Sequence, residues 1–168
     1  FIANYGAPSV INKRVVSDLD NIYYPENFVV PFVEVVHDRV VHEIFRGCIR
    51  GCRFCQAGFS CRPVRKKSPE VLYNQAVEMM EYSGNNEITL SSLSTSDYRG
   101  LKELTDQMIP YCADHKINLS VPSLRADNFS RELMEKLQTV RKSGLTFAPE
   151  AGTQRLRDVI NKNLTEEE

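Results

Sequence analysis

The sequence has 168 residues, 42% hydrophobic and 26% charged, with a formal net charge of −1. This composition is typical of one globular domain; it argues against a strongly basic or acidic chain, and no apolar run reaches the roughly 18 residues of a membrane helix. The five cysteines are odd in number and mostly clustered, which favours reduced thiols and a cytoplasmic setting over a disulfide framework.

The N-terminal part of the chain lacks a clear hydrophobic period. Residues 1–36 are interrupted by Pro8, Pro25 and Pro31, so we expect a linker or N-terminal extension from an upstream domain. Residues 37–168 then form the folded core. The start at Phe1 and the final LTEEE lead us to expect a fragment whose core is truncated at its C-terminus.

From residue 39 onward, short apolar strands alternate with helical patterns. The predicted strands are 39–45, 87–93, 117–124 and 145–150. The predicted helices are 69–84, with Ser68 as its cap and Gly84 as its end, then 98–115 (bent or ended near Pro110), 130–144 and 153–163. This order predicts an α/β fold of about four β/α units, with parallel strands and outer helices.

Polar loops follow each predicted strand, at the edge where such folds place their sites. The first contains the run EIFRGCIRGCRFCQAGFSCRP, residues 43–63, in which Cys48, Cys52 and Cys55 are spaced C-x3-C-x2-C. Three thiolates leave one iron of a [4Fe–4S] cluster open to another ligand. If Cys61 joins them, the site closes as a four-thiolate zinc or electron-carrying module without catalysis. Both possibilities remain open from the spacing.

The run RGCIRGCRFCQAG resembles the signature of the radical S-adenosylmethionine (SAM) enzymes, including the aromatic Phe54 before the last cysteine. The segments LSSLSTSDY, PSLRAD and TFAPEAGTQRLRDVINK resemble the subgroup with an N-terminal cobalamin-binding-type domain. The resemblance implies a partial TIM-barrel-like arrangement of the β/α units. It also implies that Cys48, Cys52 and Cys55 bind a [4Fe–4S] cluster whose fourth iron is chelated by SAM. Reductive cleavage then gives a 5′-deoxyadenosyl radical that abstracts hydrogen from an unknown substrate.

The resemblance also implies cofactor-binding residues in the later loops. The family's Gly-Gly-Glu stretch after the second strand is replaced here by serines. In the loops after the third and fourth predicted strands, the matching positions have polar or charged side chains. The implied SAM-contacting residues are Phe54, Ser91, Ser92, Ser94, Ser123, Arg125 and Glu150. Two alternatives remain: Arg125 pairs with Asp127, and Glu150 compensates the charge of a helix N-terminus.

Partners follow from the chemistry and from the charge pattern. The resemblance implies an electron donor of the flavodoxin or ferredoxin type and cobalamin in an upstream domain. A basic run without acids spans the cysteine loop, comprising Arg46, Arg50, Arg53, Arg62, Arg65, Lys66 and Lys67. Nucleic acid is a conceivable partner but is not favoured over a solvated basic loop. The alternative within the family is methylthiolation of a tRNA or a ribosomal protein.

Overall fold

The structure is a computed structural model and describes residues 5–128, 130–140 and 146–168. Its strands are Val40–Glu43 (β1), Phe45–Arg46 (β2), Arg65–Lys66 (β3), Glu87–Ser91 (β4) and Asn118–Ser120 (β5). Its helices are Ala57–Ser60 (α1), Pro69–Ser83 (α2), Leu101–Asp114 (α3), Arg131–Val140 (α4) and Gln154–Val159 (α5). Short 3-10 turns span Thr95–Asp97 and Ala126–Asn128.

The main sheet has three parallel strands in the order β1-β4-β5. Helix α2 connects β1 to β4 and α3 connects β4 to β5, as parallel pairing requires. The predicted α/β class, with parallel strands and flanking helices, is therefore confirmed as a partial β/α core. Within the described ranges the sheet does not close into a barrel.

The two faces of this sheet differ in character because successive side chains alternate between them. One face carries Val40, His42, Ile88, Leu90 and Leu119, all buried in the core with apolar side chains of α2, α3 and α4. The other face has the register row Val41, Thr89 and Ser120, with Glu43 beside Ser91 one step further along. The helices therefore cover one face, and the opposite face is mostly polar.

Helix α2 follows its sequence signals closely. The Ser68 hydroxyl accepts a hydrogen bond from the Val71 N–H at 3.4 Å, and Pro69 occupies the first turn. Gly84 ends the helix with φ +66°, a left-handed conformation that glycine adopts at little cost. Helix α3 continues through Pro110 to Asp114, so it does not end at this proline.

The predicted fourth strand at 145–150 is wrong for the residues that the structure describes. Residues 146–149 are irregular, Glu150 lies in a bend, and all five are exposed. Leu145 lies outside the described residues. The apolar pattern indicated a strand, but a strand needs a neighbour that accepts its backbone hydrogen bonds, and Pro149 has no N–H to offer.

Part of the predicted linker packs onto the core. Leu19 is 1% exposed, and a carboxylate oxygen of Asp20 accepts the Ser68 N–H at 2.7 Å. The Tyr24 hydroxyl donates a hydrogen bond to Glu78 on α2. The segment beyond it is different, because Phe32 is fully exposed.

Candidate cysteine-loop site

A two-stranded antiparallel ribbon closes the base of the loop that carries four of the five cysteines. Strand β2 pairs with β3 through Phe45 opposite Lys66 and Arg46 opposite Arg65. The intervening residues, 47–64, form the structure called here the cysteine loop. Gly47, the first of them, has φ +96°, and a Cβ there would lie 2.7 Å from the Cys61 carbonyl oxygen. Only glycine fits this backbone crossing without displacement.

All cysteines in the loop are free thiols. Cys52 is buried, whereas Cys48, Cys55 and Cys61 are half-buried. The Cys55 N–H donates to the Cys52 carbonyl at 3.0 Å, and the Arg50 N–H donates to the Cys48 sulfur at 3.4 Å. These contacts order the backbone around Cys48, Cys52 and Cys55, which lie in the irregular segment that follows β1 and β2.

The three cysteines suit an iron–sulfur cluster in the chemistry of their donors. Iron–sulfur clusters are bound by cysteine thiolates, and reduced, unpaired thiols are what this loop supplies. In the described part of the chain, however, no three His, Cys, Asp or Glu side chains converge as a metal-binding group. The sulfur atoms therefore share a loop without forming a closed site, with or without Cys61.

Arginines from the basic run bind the backbone of the cysteine loop. The Arg62 guanidinium donates to the carbonyl oxygens of Cys48, Ile49 and Arg50 at 3.2–3.4 Å. Arg65 donates to the carbonyls of Pro63 and Cys61 at 2.9 and 3.4 Å. These cations satisfy carbonyl groups of an irregular loop, which otherwise lack secondary-structure partners.

Other members of the basic run also have partners within the chain. Arg46 pairs with Glu43 at 2.8 Å. The Lys67 amine is buried and donates to the Gln75 side-chain oxygen at 2.7 Å, while Lys66 is exposed. Much of the positive charge is therefore engaged in structural contacts.

Arg50 joins the cysteine loop to the loops that follow β4 and β5. Its Nε and Nη2 donate to both carboxylate oxygens of Asp97 at 2.8 and 2.5 Å, and its Nη1 donates to Asp127 at 2.9 Å. Asp127 also accepts two hydrogen bonds from Arg125, at 2.8 and 3.0 Å. The four side chains are called here the Arg50 network.

The Arg50 network is largely shielded from solvent. The side chains of Asp97, Asp127 and Arg125 are 5%, 10% and 11% exposed, and that of Arg50 is 23% exposed. Burial alone would raise the pKa of Asp97, but hydrogen bonds from Arg50 and Ser94, with the arginine charges, outweigh it and lower that pKa. The hydrogen bond to Asp97 is the main reason that the pKa of Arg50 is raised.

The predicted serines lie at the same edge, but their hydroxyls have different partners. The Ser91 carbonyl accepts the Ile44 N–H at 3.0 Å. The Ser92 hydroxyl lies 2.8 Å from that of Thr95, and the buried Ser94 hydroxyl donates to Asp97 at 2.7 Å.

Ser123 and Glu150 share an unusual backbone conformation. Ser123 has φ +60° and Glu150 has φ +69°, in the left-handed region that few side chains other than those of Asn and Asp adopt readily. The Ser123 carbonyl accepts the Thr95 N–H at 3.1 Å, which ties the loops after β4 and β5 together. Such strained residues are frequent at functional sites.

The residues that follow α5 also contact the cysteine loop. The Asn161 side-chain amide donates to the Gly51 carbonyl at 2.8 Å, and the Arg53 N–H donates to the Ile160 carbonyl at 2.9 Å. The Lys162 amine lies 6.0 Å from the centre of the Phe54 ring and 3.4 Å from a Glu150 carboxylate oxygen. Thus Phe54 and Glu150, both implied by the resemblance, share one neighbour.

Sequence reasoning did not identify Arg50, Asp97 or Asn161 as site residues. Arg125 was identified, and its alternative pairing with Asp127 is the contact observed. The available signal was an arginine between two motif cysteines, followed by polar loops that each contain an aspartate. That signal does not specify which arginine meets which aspartate, because the residues are 47 and 77 positions apart.

Two neighbouring grooves open beside the loop, with volumes of about 460 and 260 Å³. They share Ile49, Asp97, Tyr98 and Arg99. The larger groove continues between α3 and α4, and the smaller reaches Phe45 and Lys66 of the ribbon. Ile49 lies between Cys48 and Arg50, so both grooves border the cysteine loop.

Comparison with known proteins gives two findings. Residues 42–168 match the radical SAM superfamily. An uncharacterized protein of Methanocaldococcus jannaschii is 37% identical over 124 residues, which is 74% of this chain and 26% of that protein. The chain thus spans about a quarter of the length of this relative. Separately, none of the described helices combines the length and the apolarity required to cross a bilayer.

Proposed function

This chain belongs to the radical SAM superfamily, and we propose that Cys48, Cys52 and Cys55 are the residues with which it binds the family's [4Fe–4S] cluster. Membership implies an enzyme that uses such a cluster together with SAM. The assignment is supported by three free thiols that are close in sequence within one loop, which follows β1 inside the region that matches the family.

The chemistry that the cluster and SAM supply when bound is reductive cleavage of SAM followed by hydrogen abstraction from a substrate. The chain's own residues bind and orient. Arg62 fixes the loop backbone through three consecutive carbonyls. Phe54 is 54% exposed next to Lys162, where we propose that it borders the cofactor. Ser123 and Glu150 both have positive φ, and we propose that these conformations direct their loops toward the cofactor.

The substrate is proposed to enter the smaller of the two grooves, since it combines the apolar Phe45 and Tyr98 with the cations Lys66 and Arg99. A one-electron donor of the flavodoxin or ferredoxin type is the partner that this chemistry requires. A cobalamin-type domain outside the chain, and methylthiolation as the reaction, remain predictions of the sequence resemblance.

The test is anaerobic reconstitution of the chain with iron and sulfide. We expect about four irons per chain and an EPR spectrum of the reduced protein that changes when SAM is added. Cys48→Ser, Cys52→Ser and Cys55→Ser should each lose most of the iron.

Cys61→Ser is the matched control, because it removes a thiol from the same loop outside the C-x3-C-x2-C spacing. It should retain the iron and the response to SAM. If Cys61→Ser also loses the iron, or if the spectrum ignores SAM, the closed four-thiolate module replaces the enzyme as the better account.

A further inference from the structure

The Arg50 network uses every nitrogen of one guanidinium. Nε and Nη2 of Arg50 bind Asp97 side by side, and Nη1 binds Asp127. This arrangement, a two-point contact with Asp97 and a single bond to Asp127, depends on the planar shape of arginine. A lysine ammonium is a single point charge that cannot span two carboxylates in this way. The contact therefore has a geometric requirement beyond its charge.

Arg50 joins the cysteine loop to two loops that are already tied to each other by the bond from the Thr95 N–H to the Ser123 carbonyl and by that from the Arg125 N–H to the Ser96 hydroxyl. Arg50 lies in the cysteine loop, between Cys48 and Cys52, while Asp97 and Asp127 lie in the 3-10 turns after β4 and β5. None of the three belongs to the apolar core formed by the sheet and helices. Loss of the contact should therefore free the cysteine loop from the loops after β4 and β5 and leave the core folded.

The network as a whole is electrically balanced, with two carboxylates facing two guanidinium groups. The two carboxylates therefore compensate most of the Arg50 charge. We expect Arg50 to act on the cysteine thiols mainly by holding the backbone of the cysteine loop in place. Ser94 and Arg125 donate to the same two carboxylates, those of Asp97 and Asp127.

We propose that Arg50 is a positioning residue that holds the cysteine loop against the loops after β4 and β5. It thereby fixes the three thiols relative to the loops in which we expect the SAM contacts. The proposal rests on the proposed function for the identity of the cluster and SAM. The contact itself concerns only residues of this chain.

The first measurement is hydrogen exchange in the full chain without iron, comparing wild type with Arg50→Lys and Asp97→Asn. Arg50→Lys keeps the charge but cannot form the two-point contact, and Asp97→Asn removes one of the two carboxylate oxygens that this contact needs. We expect amides of residues 48–56 to exchange about ten-fold faster, as for the loss of a charged hydrogen bond, with α2 and α3 unchanged. Arg155→Lys is the matched control, since Arg155 is exposed on α5, and it should exchange as wild type does.

The second measurement follows anaerobic reconstitution of the same variants. Arg50→Lys and Asp97→Asn should bind iron, with a broadened EPR spectrum and a response to SAM that needs about ten-fold more SAM. Wild-type exchange and a wild-type response to SAM in Arg50→Lys would overturn the proposal, because charge alone would then suffice. Absence of a cluster in the wild-type chain would count against the proposed function, and the exchange experiment would still decide the role of Arg50.

Discussion

At the scale of single residues, His42 shows how the core sets the chemistry of a polar group. Its imidazole is 2% exposed, and its Nε2 lies 3.2 Å from the Leu72 carbonyl oxygen. Burial, and then the charge of Lys67, lower the pKa of His42 to about 3, although the bond to Leu72 opposes this. His42 is thus a neutral core residue that packs beneath α2, and its side chain points away from the polar face of the sheet.

A pH dependence of stability follows from this burial. A histidine pKa that is lower in the folded than in the unfolded chain gives stability that is fully present above pH 6.5 and is lost as the pH falls toward 3. The loss approaches about 1.4 kcal/mol per pH unit. When urea unfolding is measured at pH 7 and at pH 4.5, the free energy of unfolding of His42→Gln should fall by about 2 kcal/mol less than that of wild type.

The exposed His115 provides the comparison for this experiment. His115→Gln removes an imidazole from the end of α3, where the ring lies against Tyr111. Stability curves for wild type and His42→Gln that run parallel between pH 7 and 4.5 would contradict the assignment of the pH dependence to His42.

At the scale of elements, local signals predicted what local chemistry determines. Ser68, Pro69 and Gly84 determine the start and end of α2 through a cap, a fixed φ and a left-handed turn, and the structure agrees. The β2–β3 ribbon escaped prediction because each strand has two residues, too few for a period. Its pairing joins residues about twenty positions apart, which no local pattern specifies.

The limit of local patterns also explains which residues of the candidate site could be predicted. The C-x3-C-x2-C spacing is a local pattern, so the sequence alone points to the three cysteines. The partners of Arg50 are distant in sequence and depend on the order of strands in the sheet. The erroneous strand at 145–150 has the same origin, since an apolar run becomes a strand only where a neighbouring strand pairs with it.

Gly47 at the base of the ribbon provides an element-scale test. A Cβ at this position meets backbone atoms of Cys61, Pro63 and Val64 at 2.7–3.0 Å, and φ is +96°. We expect Gly47→Ala to lower the free energy of unfolding by about 3 kcal/mol or more through strain and overpacking. Chemical denaturation of the purified variants measures this.

Two other glycines separate the causes. Gly84→Ala has φ +66° and open space around its Cβ, so it should cost about 1 kcal/mol from the backbone alone. Gly152→Ala meets nothing within 4 Å and has no positive φ, so it should change stability by less than about 0.5 kcal/mol. Equal losses at Gly47 and Gly84 would rule out the close backbone crossing as a cause.

At the scale of the whole molecule, the segment before β1 has two parts. Leu19 and Tyr24 contact the core and α2. Further along, Val29, Phe32 and Val36 expose most or all of their side chains. Residues upstream of residue 37 therefore contact the unit that the sheet and helices form, and the domain boundary at residue 37 stays a prediction.

The two parts should respond differently to truncation of a side chain. Leu19→Ala should lower the free energy of unfolding by about 3 kcal/mol, because it empties a fully buried position. Phe32→Ala should change it by less than about 0.5 kcal/mol, since this ring is fully exposed. Thermal and urea unfolding of both variants would test this, and a large loss for Phe32→Ala would show that the exposed part is packed in solution.

The two unlike faces of the sheet bear on how this chain can diverge. Side chains such as Val41 and Ser120 stand opposite the helix-covered face, and Val41 is 59% exposed. Exchanging them alters no contact of the core against α2 and α3, whereas Ile88 and Leu90 on the other face tolerate little change in volume. Substitution of Val41 or Ser120 therefore changes the chemistry of one face while the packing behind it is retained.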